Sequence, residues 1–422
     1  MAPRERQSES DHHRKLTYVS LIFYSTQNAE WERMAPSERG GPPRRLGSKL
    51  IFCADMASNR PPLTPLERDA LTDRTALADW TREQGPLLLE NRSVEAIQIG
   101  DQVFDGVILR DVDFTDTAFN GTQFRNARLE NVTMDEVTMT AVVFETCALV
   151  NAAWEATQLT QSRLAHCTIQ VWSADACTWE ETAVEDSRLD GFTDTRGLFR
   201  DTTFARVQMT SPCLQRSVFS RTRIDQLTIA GGKLQSVTMS DGSARGMLVR
   251  DAEVDGLEIL LGEYQGLTFQ GIRGGSLRIV SASCRGLGLI GCGELVGVTF
   301  SGADITGLVI DGCHALALLN IAGGELQSPL IVKSQIAGGS VRGCRIPSGG
   351  MADDSVFDGL DLEGSQFDGF AFHRSTFATV LRIAAASFRG LVLDGVTYAS
   401  PLEIEADGVT YQGGQQFPST GA

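Results

Sequence analysis

From Val94 to Leu289 every fifth residue is apolar, without a break in phase: Val94, Ile99, Phe104, Leu109, Phe114, Phe119, Phe124 and onward. Of the 40 positions in that frame only Asp194 and Gly274 fall outside the apolar set of Ala, Val, Ile, Leu, Met, Phe, Trp, Tyr and Cys. An α-helix repeats near 3.6 residues and a strand at 2, so a sustained period of five belongs to neither. It marks a solenoid, in which each repeat buries its apolar side only by stacking on its neighbours.

Two residues before each centre lies a smaller set: Val107, Val112, Thr117, Thr122, Ala127, Val132 and their successors. The other three positions are mostly polar or Gly. A large central residue with a small or β-branched one two before it resembles the pentapeptide-repeat family, over about residues 92–411. Val112-Asp113-Phe114, Ala303-Asp304-Ile305 and Leu360-Asp361-Leu362 come nearest to the family's small-polar-large core. Elsewhere the residue before the centre is rarely Asp or Asn, which makes this a degenerate member. The resemblance implies an all-β fold, a right-handed quadrilateral β-helix with four pentapeptides per coil and a core of residues such as Phe104, Phe114, Phe119, Phe124, Phe144, Phe204 and Phe219. Two inward side chains in five would make about 40% of such a chain apolar, and 42% is found. At a strand spacing of roughly 4.8 Å, sixteen coils make a rod on the order of 75 Å long.

The phase slips by one residue at Phe300, again by Ile321, by Phe357 and by Phe388, each an insertion that a corner bulge can absorb. Ahead of the repeats, Thr64-Pro65-Leu66-Glu67 is a capping box with Pro at the first helical position. It predicts one helix over about Pro65–Arg82, with Leu66, Ala70, Leu77 and Trp80 on one face. Solenoid ends need covering, so residues 56–91 are read as an N-terminal capping helix and linker. Residues 1–55 lack the period, carry a net charge of +2 and read as a disordered leader or a mis-assigned start, with Met56 the alternative. Residues 412–422 read as a disordered tail. With no helix expected after Tyr411, the C-terminal end is a candidate for a homodimer or partner docking, the alternative being a ragged, self-capped end.

No catalytic, cofactor-binding or metal-binding residue is expected. Six of the nine cysteines (Cys147, Cys167, Cys177, Cys292, Cys313, Cys344) occupy the small slot, and their spacings follow the repeat. Buried, reduced thiols fit a cytoplasmic compartment; Cys53, Cys213 and Cys284 are the expected reactive exceptions. Gly286-Leu287-Gly288-Leu289-Ile290-Gly291 has dinucleotide-binding spacing, yet Leu289 continues the five-residue frame and no helix follows. No apolar run reaches the roughly 18 residues that span a bilayer.

Charge is the remaining clue. Arg92–Asp190 holds 17 acidic and 6 basic residues, Gly191–Phe300 holds 10 and 12, and Ser301 onward 13 and 6. Such a field repels nucleic acid and steers basic protein partners. Asp111, Asp113, Asp116, Asp135 and Glu136 form the candidate partner-binding acidic face. The expected function is a non-enzymatic protein–protein interaction scaffold. The family resemblance suggests an accessory or adaptor protein of a bacterial type VI secretion cluster, and as the alternative a DNA-mimic inhibitor or protector of a topoisomerase such as gyrase.

Overall fold

The computed structural model describes residues 60–399 and 403–418, so the readings of residues 1–55, of Met56 and of Cys53 fall outside it. The repeats fold as an all-β parallel solenoid of about 16 turns. Its first coil runs through β1 (Leu88–Glu95), β2 (Gln98–Gly100), β3 (Val103–Asp105) and β4 (Ile108–Thr115), which turns back over β1. Val94 lies beside Phe114, Ile99 beside Phe119 and Phe104 beside Phe124, all in parallel register. One coil is therefore 20 residues and four faces. We call these the first (Val94, Phe114, Met134), second (Ile99, Phe119, Met139), third (Phe104, Phe124, Phe144) and fourth (Leu109, Leu129, Leu149).

Corners make this turn possible. The second residue after each centre takes a left-handed backbone, as at Asp111 (φ 55°), Asn131 (54°), Asn151 (53°) and Val171 (53°). The strand bends there, and the corner N–H donates to the next coil: Asp116 N to Asp135 O, Asn131 N to Val150 O. Each coil is thus hydrogen-bonded only to its neighbours.

The frame residues and the slot residues fill the interior. Phe104, Phe114, Phe119, Phe124, Phe144, Phe204 and Phe219 are all buried. Phe124 stacks on Phe144 with ring centroids 4.9 Å apart, close to the strand spacing itself. Polar slot residues are buried too, and the chain satisfies the hydroxyls among them, while Gln102 Oε1 has no partner. Thr122 Oγ1 donates to Ile99 O, and Ser162 Oγ donates to Thr160 O while accepting from Val142 N. A hydroxyl in the slot keeps its bonds, which is why Ser and Thr alternate there with Val and Cys.

Size is conserved coil by coil on the first face. Ala152 and Trp154 fill slot and centre in one coil; in the next the order reverses to Trp172 and Ala174. Trp154 and Trp172 meet edge-on at 4.4 Å. Phe192 then occupies the slot, and Asp194 is the buried centre. Room for the Asp194 carboxylate comes from Gly197, where a Cβ would lie 2.3 Å from both its oxygens. Large-small alternation keeps the volume per coil near constant.

The phase slips are single-residue insertions. Leu267 lies beside Leu287, 20 residues on, but Gly274 lies beside Leu295, 21 on. Leu295 continues the first face, and Leu316 and Ile336 follow it. A further insertion shows as a register shift between Asp358 and Leu360 against Thr376–Arg382. The columns survive every slip.

Both ends depart from expectation. Two helices, α1 (Pro65–Thr72) and α2 (Arg74–Gln84), replace the single one. Asp73 separates them: its N–H closes α1 on Asp69 O, and its carboxylate accepts from Thr75 N at 2.7 Å and Ala76 N at 3.0 Å to open α2. The capping box forms, but Glu67 also turns inward to Arg92 Nε at 2.9 Å. That leaves Leu66 55% exposed, with Ala70, Leu71 and Leu77 buried in its place. At the other end, Thr410–Gly414 is a strand beside Ser387–Asp394, so the expected tail from 412 is ordered as far as residue 418. Phe417 is buried against Phe372, Phe377 and Phe388. Phe417 thus covers part of the apolar end, while Tyr398, Ile404 and Tyr411 stay half-buried.

Candidate partner-binding face

The structure divides the five carboxylates of the expected acidic face. Asp113 is only 8% exposed and accepts from Arg60 Nη1 at 2.7 Å and from the Thr133 hydroxyl. It pins the segment before α1 to the second coil and is withdrawn from any partner. Asp111 sits on the corner before the first face and accepts from Asn131 Nδ2 at 3.0 Å; Asn151 Nδ2 continues this ladder to Asn131 Oδ1 at 2.8 Å. Asp111 is therefore half spent on the corner.

Asp116, Asp135 and Glu136 do come together. Asp135 follows the centre Met134, while Asp116 and Glu136 occupy stacked corners beyond Phe114 and Met134. The contact with Asp116, then the charges of Asp116, Asp135 and Glu155, holds the Glu136 carboxyl above the usual carboxylate range. Two further residues belong to the same edge: Glu95, Thr115, Asp135, Glu155 and Asp175 form one in-register column. Their 20-residue spacing was the signal that could have found Glu95 and Glu155. Among the described residues Glu95, Asp116, Asp135, Glu136 and Glu155 make no ion pair, whereas Asp175 is closed by Arg196 at 2.6 Å. On other corners cross-coil pairs such as Arg206–Asp186 and Arg221–Asp201, both at 2.6 Å, balance the charge.

The edge is an open electrostatic surface. No three His, Cys, Asp or Glu side chains among the described residues converge as a metal-holding group. The third face carries a shallow polar groove of about 250 Å³ beside Arg223, Arg245, Tyr264 and Arg285. The Gly286–Gly291 motif lies in and just after the strand Ser283–Ile290 and no helix follows it, so it has no phosphate cradle. Among the described residues no helix is long and apolar enough to cross a membrane. One cysteine departs from its expected place: Cys284 is a centre residue on the third face, buried between Tyr264 and Ile305, and burial pushes its thiol up to about 12.

Short parallel strands on four sides, inward centres and slots, and left-handed corners make the fold a four-sided parallel β-solenoid. Residues 108–145 match the family model described as pentapeptide repeats, in eight copies. Similar solved structures include HetL, a pentapeptide repeat protein involved in heterocyst differentiation regulation from the cyanobacterium Nostoc, at 13% identity over 51% of this chain and 90% of that one, TM-score 0.25. QnrB1, a plasmid-mediated fluoroquinolone resistance protein, is 10% identical over 40% of this chain and 93% of its own, TM-score 0.20. The catalytic unit of an α-1,3-glucanase from Streptomyces thermodiastaticus is 10% identical over 84% and 68%, TM-score 0.25. No curated protein shows significant sequence similarity to the chain.

Proposed function

We propose that this chain is a non-enzymatic protein–protein interaction scaffold. The observation that carries the reading is the column of carboxylates at Glu95, Asp135 and Glu155, flanked by Asp116 and Glu136, which the fold holds in register and which make no ion pair among the described residues. Like charges brought this close raise the local field, and that field steers basic protein surfaces. The finer role is an accessory or adaptor protein of a bacterial type VI secretion cluster, supported by the resemblance to long pentapeptide-repeat chains. Phe417 argues against a homodimer through the C-terminal end, because it already covers the last coils.

The second reading, a DNA mimic acting on gyrase, is favoured by the same acidic edge. Five carboxylates over three coil rises, roughly 15 Å at the strand spacing, compare with about nine charges on that length of duplex. The edge is thus a weak copy of DNA, and Arg196 ends it. A supercoiling assay and recovery of partners from the native host separate the readings. The scaffold leaves supercoiling untouched and retains a specific protein, which the triple variant Asp116→Lys, Asp135→Lys, Glu136→Lys releases. Salt-sensitive inhibition of supercoiling, abolished in that variant, would put the mimic first.

A further inference from the structure

On the fourth face, far along the chain from the acidic edge, the outward residue before each centre is apolar in five successive coils. Val309, Leu330, Met351, Ala371 and Val392 lie side by side in register. All five are half-buried or exposed, Val392 by 41%. No core position explains them: the centres they flank are Ile310, Ile331, Ala352, Phe372 and Leu393, which already face inward. An uninterrupted outward apolar ladder of this kind marks an interaction surface.

Its two borders differ. On one side the corner carries little side chain, with Gly307, Ser328, Gly349, Gly369 and Gly390 following one another at left-handed φ of 50–70°. That border rises no higher than the Ser328 hydroxyl, which donates to Ser348 O. On the other side the outward residues after each centre run Asp311, Val332, Asp353, His373 and Asp394. This column holds three aspartates and no Lys or Arg, but Asp353 is closed by Arg374 at 2.6 Å and Asp394 lies 3.3 Å from His373 Nδ1. The corner behind carries Lys333 and Asp354, so the flank keeps four carboxylates against Lys333 and Arg374.

We propose that this ladder docks an amphipathic helix of another protein, lying along the solenoid axis with Lys or Arg on one flank. The apolar strip is a single column bordered by small corner residues and by a mixed, net acidic flank, a width that suits one helix of about 10–12 Å diameter rather than a second sheet. Coils rise by roughly 4.8 Å and a helix by 5.4 Å per turn, so anchors at i, i+4 and i+7 stay over the rungs for three turns. The acidic excess of that flank, four carboxylates against Lys333 and Arg374, sets which side of the helix is basic. This surface and the acidic edge lie on different faces, and neither depends on the other.

The test uses the full chain and a synthetic 18-residue amphipathic peptide, with Leu at helical spacing and Lys along one flank. A second peptide carries Glu in place of those Lys. Titration should show the Lys peptide bound at least tenfold more tightly than the Glu peptide. Leu330→Thr with Met351→Thr should weaken it at least tenfold while the melting curve is retained. Glu136→Lys on the other face should leave it unchanged, so failure of the scaffold reading and failure of this one show separately. Equal binding of both peptides, or none, overturns the proposal. So does a wild-type dimer in sedimentation that the Leu330→Thr, Met351→Thr variant abolishes, which would seat a second copy here. Binding to phosphatidylcholine vesicles lost in the same variant would instead assign the ladder to a lipid surface.

Discussion

Two residues stand out for what their positions cost. Asp194 has one carboxylate oxygen without a partner, the other taking the Ser217 hydroxyl. Burial pushes its carboxyl up to about 6, more than the Ser217 bond offsets. The folded state therefore holds this proton more tightly than the unfolded chain, where the group titrates near 3.9. Its contribution to stability is fully present below about pH 4 and is lost as pH rises through 6, about 3 kcal/mol for a shift of about two units. Asp194→Asn should melt like the wild type at pH 4 and several degrees higher at pH 7; a pH-independent difference would show that the carboxyl is not the cause. Val171 is a β-branched residue at φ 53° and 61% exposed, a conformation that costs about 1–2 kcal/mol outside Gly, Asn and Asp. It also stands where the Asp111–Asn131–Asn151 ladder stops. Val171→Asn should relieve the strain, extend the ladder and stabilise by about 1 kcal/mol, read as a higher midpoint in thermal or urea melts. An unchanged or lower midpoint would refute it.

At the scale of the element, the C-terminal coils depend on Phe417. Phe417→Ala should cost about 3 kcal/mol locally and speed amide exchange in Thr376–Arg382 and Ser387–Asp394, leaving the coils from Val94 to Glu145 protected. Uniformly faster exchange along the chain would contradict nearest-neighbour stacking. The repeats themselves were legible from sequence because one period of five encodes both inward columns at once. Even the slips were readable, since an apolar centre one place late has no other use. The ends were not. Asp73 breaks the cap because its side chain serves as an N-cap better than its backbone serves mid-helix, a competition that periodicity does not register. Phe417 lies past the last centre and carries no phase, and Gln415-Gln416 gives no strand signal. Asp113 looked like surface because its partner, Arg60, lies 53 residues away in a segment without repeat. Glu95 and Glu155 were missed for a simpler reason: charges counted along the chain do not line up until they are counted by coil.

For the whole molecule, the thiols test whether the interior is closed throughout. Cys147, Cys167, Cys177, Cys284, Cys292, Cys313 and Cys344 are buried, and Cys213 is half-buried. A thiol reagent should label Cys213 first among these eight, with the other seven reacting only as the coils open. Rapid labelling of Cys147 and Cys167 would mean a breached stack. The two surface columns stand on opposite halves of the chain. The unpaired carboxylates end at Glu155, and the five-rung apolar ladder begins at Val309. The 20-residue coil between them has a consequence for how such a chain can change length. Excising one whole coil between those surfaces would return every later side chain to the column it already occupies. Excising a single pentapeptide would turn everything downstream by one face, moving the apolar ladder to another side of the rod while leaving the interior filled. Length in this molecule is therefore quantised by the coil, and orientation between its two surfaces by the pentapeptide.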